Sequence, residues 1–244
     1  MDIQTSPLKM LLSNQSPEYR QPTKSNSFQY RLIRSRRRSF AMQVEAGGTL
    51  VIRAPLHYSD HDIQRMMDKY ETWIKIHVHA ASQHQPYRFI EGEKYLYLGV
   101  QYPLVFGNSG GGTIKFDNAL IVAEELRAKA GMLILQWFKN EARKYLSTRI
   151  KELSKQYNFS FSRLRISNAK ANWGSCSTKG TISLNWRLVQ CPPKVIDYII
   201  IHELAHLREM NHSPHFWALV ETMCPDCQNH KKWLRRNSPM LRTF

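Results

Sequence analysis

The chain has 244 residues, 42% of them hydrophobic and 11% aromatic, which is enough for one large core or two small ones. It carries 35 Lys and Arg against 19 Asp and Glu, a formal net charge of +16, which favours a polyanionic partner but is equally typical of a solvated basic surface. The sequence has no apolar run of about 18 residues, as a membrane-spanning helix needs, and MDIQTSPLKMLLSNQ at the N-terminus lacks a signal-peptide pattern, so we expect a cytoplasmic protein.

The first half of the chain predicts a polar tail followed by a small β-rich module. Residues 1–27 are rich in Ser, Gln, Asn and Pro, which predicts a disordered tail. FQYRLIRSRRRSFAMQVEAGGTLVIRAP then alternates apolar and polar residues around a Gly-Gly turn, which predicts a β-hairpin. HDIQRMMDKYETWIKIHVHAAS predicts one amphipathic helix with Ser59 or Asp60 as its N-cap. KYLYLGVQYPLVF and TIKFDNALIVA predict further strands, so we assign residues 28–122 to an N-terminal module.

Within the predicted hairpin, the segment RLIRSRRRS contains five arginines and no acid. Such a cluster attracts nucleic acid and other polyanions, but a run of charge is also typical of a solvated face, and charge by itself does not decide between the two. The candidate polyanion-binding residues are Arg31, Arg34, Arg36, Arg37 and Arg38.

The second half of the chain, residues 123–244, predicts a helical and β domain. From Glu124 onward the apolar residues recur every three or four positions, which predicts a long helix. SRLRIS and GTISLNWRLV predict strands on either side of the turn-rich ANWGSCSTKG. The Pro192 and Pro193 pair predicts the start of another helix, because proline is favoured in the first turn. The predicted fold class is therefore α+β.

This last helix begins the run VIDYIIIHELAHLREMNHSPHFW, which contains four histidines and, within HELAH, the glutamate Glu203. His202 and His206 are four residues apart, about 6 Å along a helix and about 40° around it, so both imidazoles can reach one metal ion. Catalytic zinc takes three protein ligands and keeps one position open, so a third ligand is needed, and both His212 and His215 are near enough in sequence. Glu203 lies about 100° round the helix from His202, where it can act on a water as general base.

The pattern HExxH alone is weak, because short motifs recur by chance and histidines on apolar helices are commonly core residues. Three further features favour a metal site: the helix before the motif is strongly apolar, more histidines follow, and a strand-rich segment precedes it.

The run WGSCSTKGTISLNWRLVQCPPKVIDYIIIHELAHLREMNHSPHFW resembles the YgjP-like metallopeptidases, which are relatives of the SprT-like minimal gluzincins. The resemblance extends with less specificity from about residue 28 to the C-terminus. It implies a minimal zincin-like catalytic domain in which Zn²⁺ is held by His202, His206 and His212, with Glu203 as the catalytic base. His212 also lies at a predicted turn, where Asn211 would end the helix. His215 belongs to the next predicted helix, and we expect it on the surface.

The function implied is that of a zinc-dependent metallopeptidase that hydrolyses peptide bonds of a protein or peptide substrate through metal-activated water, with Glu203 as the general base. Two alternatives are a metal-dependent hydrolase of nucleotide phosphoanhydrides and a nucleic-acid-binding protein with a structural zinc. A closed structural site has no use for the base Glu203. Oxyanion stabilisation stays open: Asn172, Trp173 and Ser175 are candidates, but a tight turn with a core tryptophan explains them equally.

Overall fold

The computed structural model describes residues 18–20, 28–82, 87–169 and 172–244. Runs of strands that form several small sheets are followed by runs of helices, which confirms the α+β class. The described residues fold into two compact units, one made of those up to Ser82 together with Thr243 and the other of Tyr87–Arg242 together with Phe244. None of the described helices is both long enough and apolar enough to cross a lipid bilayer.

The first unit contains a four-stranded sheet and two helices. The strands occur in the order β1-β2-β4-β3, with β2 parallel to β4 and the two outer strands antiparallel to their neighbours. Its core consists of side chains from the sheet and from both helices, such as Leu32, Ile52 and Ile63. The elements are β1 (Glu18–Arg20), β2 (Tyr30–Ser35), β3 (Ala41–Val44), β4 (Leu50–Pro55), α1 (Asp60–Lys69) and α2 (Glu71–Ser82).

The predicted hairpin is present as β3 and β4, which are joined through Gly47 and Gly48, both at positive φ. The single predicted helix is instead two, because the backbone leaves the helical region at Tyr70, with φ −110° and ψ 18°. Ser59 is the N-cap of α1, and its Oγ accepts the backbone N–H of Asp62. The predicted tail lies outside the described residues except for β1, which pairs with β2.

The second unit contains two small sheets and four helices. One sheet has the order β5-β6-β8-β7 and the other the order β10-β11-β9, with β10 antiparallel and β9 parallel to β11. Two 3₁₀ segments, Glu124–Lys129 and Trp186–Gln190, connect these elements. The elements are β5 (Lys94–Tyr97), β6 (Val100–Gly107), β7 (Ile114–Phe116), β8 (Leu120–Ala123), α3 (Ala130–Gln156), β9 (Arg163–Ser167), β10 (Gly174–Cys176), β11 (Thr181–Asn185), α4 (Pro193–Ala205), α5 (Pro214–Met223) and α6 (Cys227–Leu241).

The second compact unit begins at Tyr87, whereas the sequence pattern predicted a boundary after residue 122. The difference arises because the sheet β5-β6-β8-β7 contributes its buried residues to the same core as α3. A β-rich sequence pattern does not say which core its strands join. The assignment of a catalytic domain to residues 123–244 stays a prediction.

Candidate metal centre

Helix α4 of the second unit is buried on almost all sides, as its nearly continuous apolar sequence predicts. It packs against α3, α5, α6 and the strands β10 and β11. A two-point ion pair fixes it to α3: Arg149 donates from Nε and Nη2 to the carboxylate of Asp197, at 2.6 and 2.9 Å. The histidine-bearing helix is therefore held on several sides.

A turn separates the motif from the third histidine. Helix α4 ends at Ala205, with His206 as its C-cap, so it ends earlier than the expected stop at Asn211. After this turn Ser213 caps α5, its Oγ accepting the backbone N–H of Phe216 at 3.2 Å, and Pro214 occupies the first turn. His212 directly precedes this cap and is thereby returned to the two histidines of α4.

The imidazoles of His202, His206 and His212 form one cluster. One ring nitrogen from each can be chosen so that all three lie within 4.8 Å of one another. The Nε2 atoms of His202 and His212 are 3.1 Å apart. Two ligands at about 2.0 to 2.1 Å from one tetrahedral zinc ion lie roughly 3.3 Å apart, so this spacing suits a shared metal.

The hydrogen bonding of the cluster also fits a metal. Nδ1 of His206 lies 3.0 Å from the backbone oxygen of Glu209. When Nδ1 carries the proton and donates it to that oxygen, the lone pair of Nε2 is free to bind a metal ion. Burial, together with the neighbouring His206 and His212, lowers the pKa of His202 to about 3. Metal ions bind neutral imidazole, so His202 is in the ligating form at neutral pH.

Glu203 is buried beside this cluster, with 4% of its surface exposed. Its Oε2 atom has no hydrogen-bond partner among the residues that the structure describes. Burial raises the pKa of this carboxyl to about 8. A buried carboxyl with one unpartnered oxygen next to three imidazoles is suited to receive and return a proton.

The edge strand β10 passes directly against this glutamate. A Cβ added to Gly174 would lie 2.5 Å from Oε1 and 2.6 Å from Cγ of Glu203, closer than any real Cβ contact. Only glycine leaves the carboxylate in its present position. Gly174 belongs to the segment ANWGSCSTKG, which was predicted as a turn, and the small residue between Trp173 and Ser175 was the available signal for this contact.

Aromatic rings surround the cluster on the side of α5. Phe216 is fully buried and stacks on His206, with ring centroids 4.5 Å apart. Trp217 stacks on His212 at 5.7 Å, and the ammonium of Lys231 lies 4.6 Å from the centre of the Trp217 ring. These contacts restrict the orientation of two of the three imidazoles.

The second histidine considered for the third position, His215, lies in α5 and is exposed. It is not part of the histidine cluster found among the described residues.

The three candidates for oxyanion stabilisation differ in their surroundings. Trp173 donates its indole N–H to Ser238 Oγ at 3.3 Å and is covered by the guanidinium of Arg242. Asn172 and Ser175 are exposed, and Ser175 alternates to the strand face opposite Gly174. Contacts of the indole with α6 therefore account for Trp173.

The five arginines of the first unit differ in their surroundings. Arg31 forms an ion pair with Glu45 at 2.9 Å, and Arg34 forms one with Asp60 at 2.6 Å and also donates to the backbone oxygen of Tyr58. The other three follow β2 in the turn before β3. Of these, Arg36 and Arg38 are exposed, while Arg37 is half-buried and donates to Ser39 at 3.4 Å.

Comparison with known proteins gives a family and two similar structures. Residues 38–237 match the model of the YgjP-like metallopeptidase domain. Two crystal structures of metallopeptidase zymogens are similar to part of the chain. Abylysin of Pyrococcus abyssi is 25% identical, with 38% of this chain and 95% of that chain covered and a TM-score of 0.35. Jannalysin of Methanocaldococcus jannaschii is 23% identical, with 38% and 96% covered and a TM-score of 0.35. No curated protein matches significantly.

Since the matched model spans most of the sequence, the chain belongs to the YgjP-like family and carries its metallopeptidase domain, which implies a metal-dependent peptidase.

Proposed function

We propose that the protein is a zinc-dependent metallopeptidase in which His202, His206 and His212 hold the ion and Glu203 is the general base. The observation that carries the proposal is the convergence of the three imidazoles, with ligand atoms within 4.8 Å of one another, beside a buried carboxyl group. The family match supports a metallopeptidase.

Zinc is the metal that this donor set favours. Three neutral imidazoles from a helix and the chain that follows it are a common ligand set of catalytic zinc, which retains an open fourth position. A zinc ion bound there supplies Lewis acidity, which activates water and polarises a carbonyl group. The hydrogen bond of His206 Nδ1 to the Glu209 carbonyl orients the second imidazole for this role.

Glu203 transfers the proton in the proposed reaction. Its unpartnered Oε2 accepts a proton from the attacking water, and the same carboxyl then donates that proton to the leaving nitrogen of the peptide. Burial among apolar residues of α4 and contact with Gly174 hold the carboxyl in one place. A fixed proton carrier removes the need to orient the group in each turnover.

The position of strand β10 favours an extended peptide as the substrate. It is the edge of its sheet, because β11 is its only partner within the described residues. An edge strand offers unpaired backbone N–H and C=O groups to which an extended chain can bind. Gly174 places this edge next to Glu203.

The test is a comparison of zinc-loaded wild type with Glu203→Gln. Elemental mass spectrometry measures zinc per chain, and mass spectrometry of the products measures cleavage of an unfolded protein substrate. We expect one zinc in both proteins and a loss of at least about 100-fold in peptide cleavage for the variant, because general base catalysis contributes about 10²- to 10⁴-fold. Folded wild type without zinc, or equal cleavage by both proteins, would contradict the proposal.

The same two proteins are incubated with a nucleoside triphosphate and tested for nucleic-acid binding. Hydrolysis of the triphosphate without peptide cleavage would favour the phosphoanhydride hydrolase. Tight nucleic-acid binding, with zinc bound and no turnover of either substrate, would favour a structural zinc.

A further inference from the structure

A cleft of about 440 Å³ opens beside the second histidine of the cluster, His206. Its walls come from the segment before β9, from the turn between β10 and β11, and from the chain that follows α4. Hydroxyl groups are the most frequent polar groups of the lining, and they belong to Ser160, Ser162, Ser177 and Thr178.

Hydrogen bonds make one wall of the cleft well defined. Gly180 donates its backbone N–H to the oxygen of Ser177 at 2.9 Å, which closes the turn between β10 and β11. The hydroxyl of Ser162 donates a hydrogen bond to the backbone oxygen of Lys179 at 2.8 Å. The backbone N–H of Ser162 donates to the backbone oxygen of Gly180 at 2.9 Å. The backbone that carries Lys179 is therefore fixed at the cleft.

The charge of the cleft is positive. Its lining contains the basic residue Lys179 and no acidic residue. Lys179 is exposed and takes part in none of the ion pairs seen in the described segments. A second cation, Lys231, lies on Trp217, which stacks on His212. Lys231 thus adds positive charge on the His212 side of the histidine cluster, whereas Lys179 is the cation in the lining of the cleft.

The remaining surface of the cleft suits a carboxylate on a short aliphatic stem. The hydroxyls of Ser160 and Thr178 are exposed and are not used in any hydrogen bond of the described chain, so both can donate to a carboxylate. Leu207 and Met210 add apolar surface for methylene groups, and Met210 is 45% exposed. A cleft of this size accommodates the side chain of glutamate.

We infer that the cleft beside His206 is a subsite for an acidic side chain, Asp or Glu, of the peptide substrate, with Lys179 as its charge partner. The inference rests on the proposed function, since it names the substrate class of the same site. Lys179 determines specificity and takes no part in bond cleavage.

The test uses peptides that differ at one position near the cleaved bond, with Glu, Gln or Lys there. Cleavage is compared for wild type, Lys179→Glu and Lys194→Glu. Lys194 is the matched control, because it is exposed in the first turn of α4, where an acid is tolerated, and lines no part of the cleft. We expect the wild type and the control to prefer Glu over Lys by about three- to tenfold in kcat/KM at low salt, and Lys179→Glu to reverse the order.

A binding measurement separates the failure of this inference from the failure of the proposed function. Fluorescence anisotropy measures the binding of the same peptides to the zinc-loaded Glu203→Gln variant, with and without the additional substitution Lys179→Glu. Tighter binding of the Glu peptide that Lys179→Glu abolishes supports the subsite even if no peptide is cleaved. Equal binding or cleavage of the Glu and Lys peptides, or a preference that Lys179→Glu leaves unchanged, would overturn it.

Discussion

Gly174 and Glu203 are in direct contact, although they lie in different elements and 29 positions apart in sequence: a Cβ at Gly174 would fall 2.5 Å from Oε1 of Glu203. The edge strand β10 and the helix α4 thus meet at the carboxyl group that we propose as the base. A side chain at position 174 therefore has no room unless Glu203 moves.

We expect Gly174→Ala to lower kcat by about 10- to 100-fold while zinc content stays at the wild-type value, because a displacement of about 1 Å at a reacting group costs this much. Overpacking should also lower the free energy of unfolding by about 1 to 3 kcal/mol. Gly107→Ala is the matched control, since Gly107 also lies in a strand and its added Cβ meets no atom within 4 Å.

A double-mutant cycle identifies the contact responsible. In a Glu203→Ala background the clashing Cγ and Oε1 atoms are gone, so Gly174→Ala should cost much less stability there. An equal stability loss in both backgrounds would show that the effect does not pass through Glu203.

His212→Ala should lose most of its zinc, whereas His215→Ala should retain it, because only His212 lies in the cluster with the two histidines of α4. Elemental mass spectrometry of both purified variants after dialysis against a weak chelator measures the difference. Circular dichroism checks that each variant is folded. Zinc retained by folded His212→Ala would remove this residue from the ligand set.

The arginines of the first unit should separate into two groups. Arg31→Ala should lower the free energy of unfolding by about 1 kcal/mol, because the half-buried pair with Glu45 is lost. Replacing Arg36, Arg37 and Arg38 by alanine should change it by less than about 0.5 kcal/mol.

If this segment binds a polyanion, the triple alanine variant should also bind it with a weaker salt dependence, by about one unit of slope for each lost phosphate contact. Titration of a fluorescent oligonucleotide at several salt concentrations measures the slope. A slope equal to that of the wild type would exclude these three arginines from a polyanion-binding surface.

The ionised carboxyl of Glu93 should stabilise the second unit at neutral pH, and this stabilisation should be lost in acid. Burial by itself raises the pKa of this carboxyl, but the Tyr95 hydroxyl and the backbone N–H groups of Arg88 and Phe89 donate to it and lower the pKa below its ordinary value. The folded state therefore binds the proton less tightly than the unfolded state. The stabilisation is present above the ordinary carboxyl pKa and is lost as the pH falls through the folded value.

Glu93→Gln should accordingly reduce the free energy of unfolding at pH 7 by about 1 to 3 kcal/mol and bring the variant closer to wild type at pH 3.5. Urea denaturation at both pH values measures this, with the exposed Glu125→Gln as control. A pH-independent difference between Glu93→Gln and wild type would contradict the role of the ionised carboxyl.

The sequence by itself determined the features that depend on local geometry. The spacing of His202 and His206 on a helix follows from the 3.6-residue period, and the start of that helix follows from the Pro192 and Pro193 pair. Alternating residues around a Gly-Gly turn predicted the β3–β4 hairpin, which the structure contains. The motifs were also sufficient to identify the family.

Only the tertiary structure decided which distant residues meet. The segment around Gly174, predicted as a turn, forms the edge strand β10 and lies against Glu203. The sheet β5-β6-β8-β7 shares its core with α3, and Arg31 forms an ion pair with Glu45. The physical reason is that periodicity records only which face of an element is apolar. The partner of that face depends on packing between segments far apart in the chain, which no local pattern encodes.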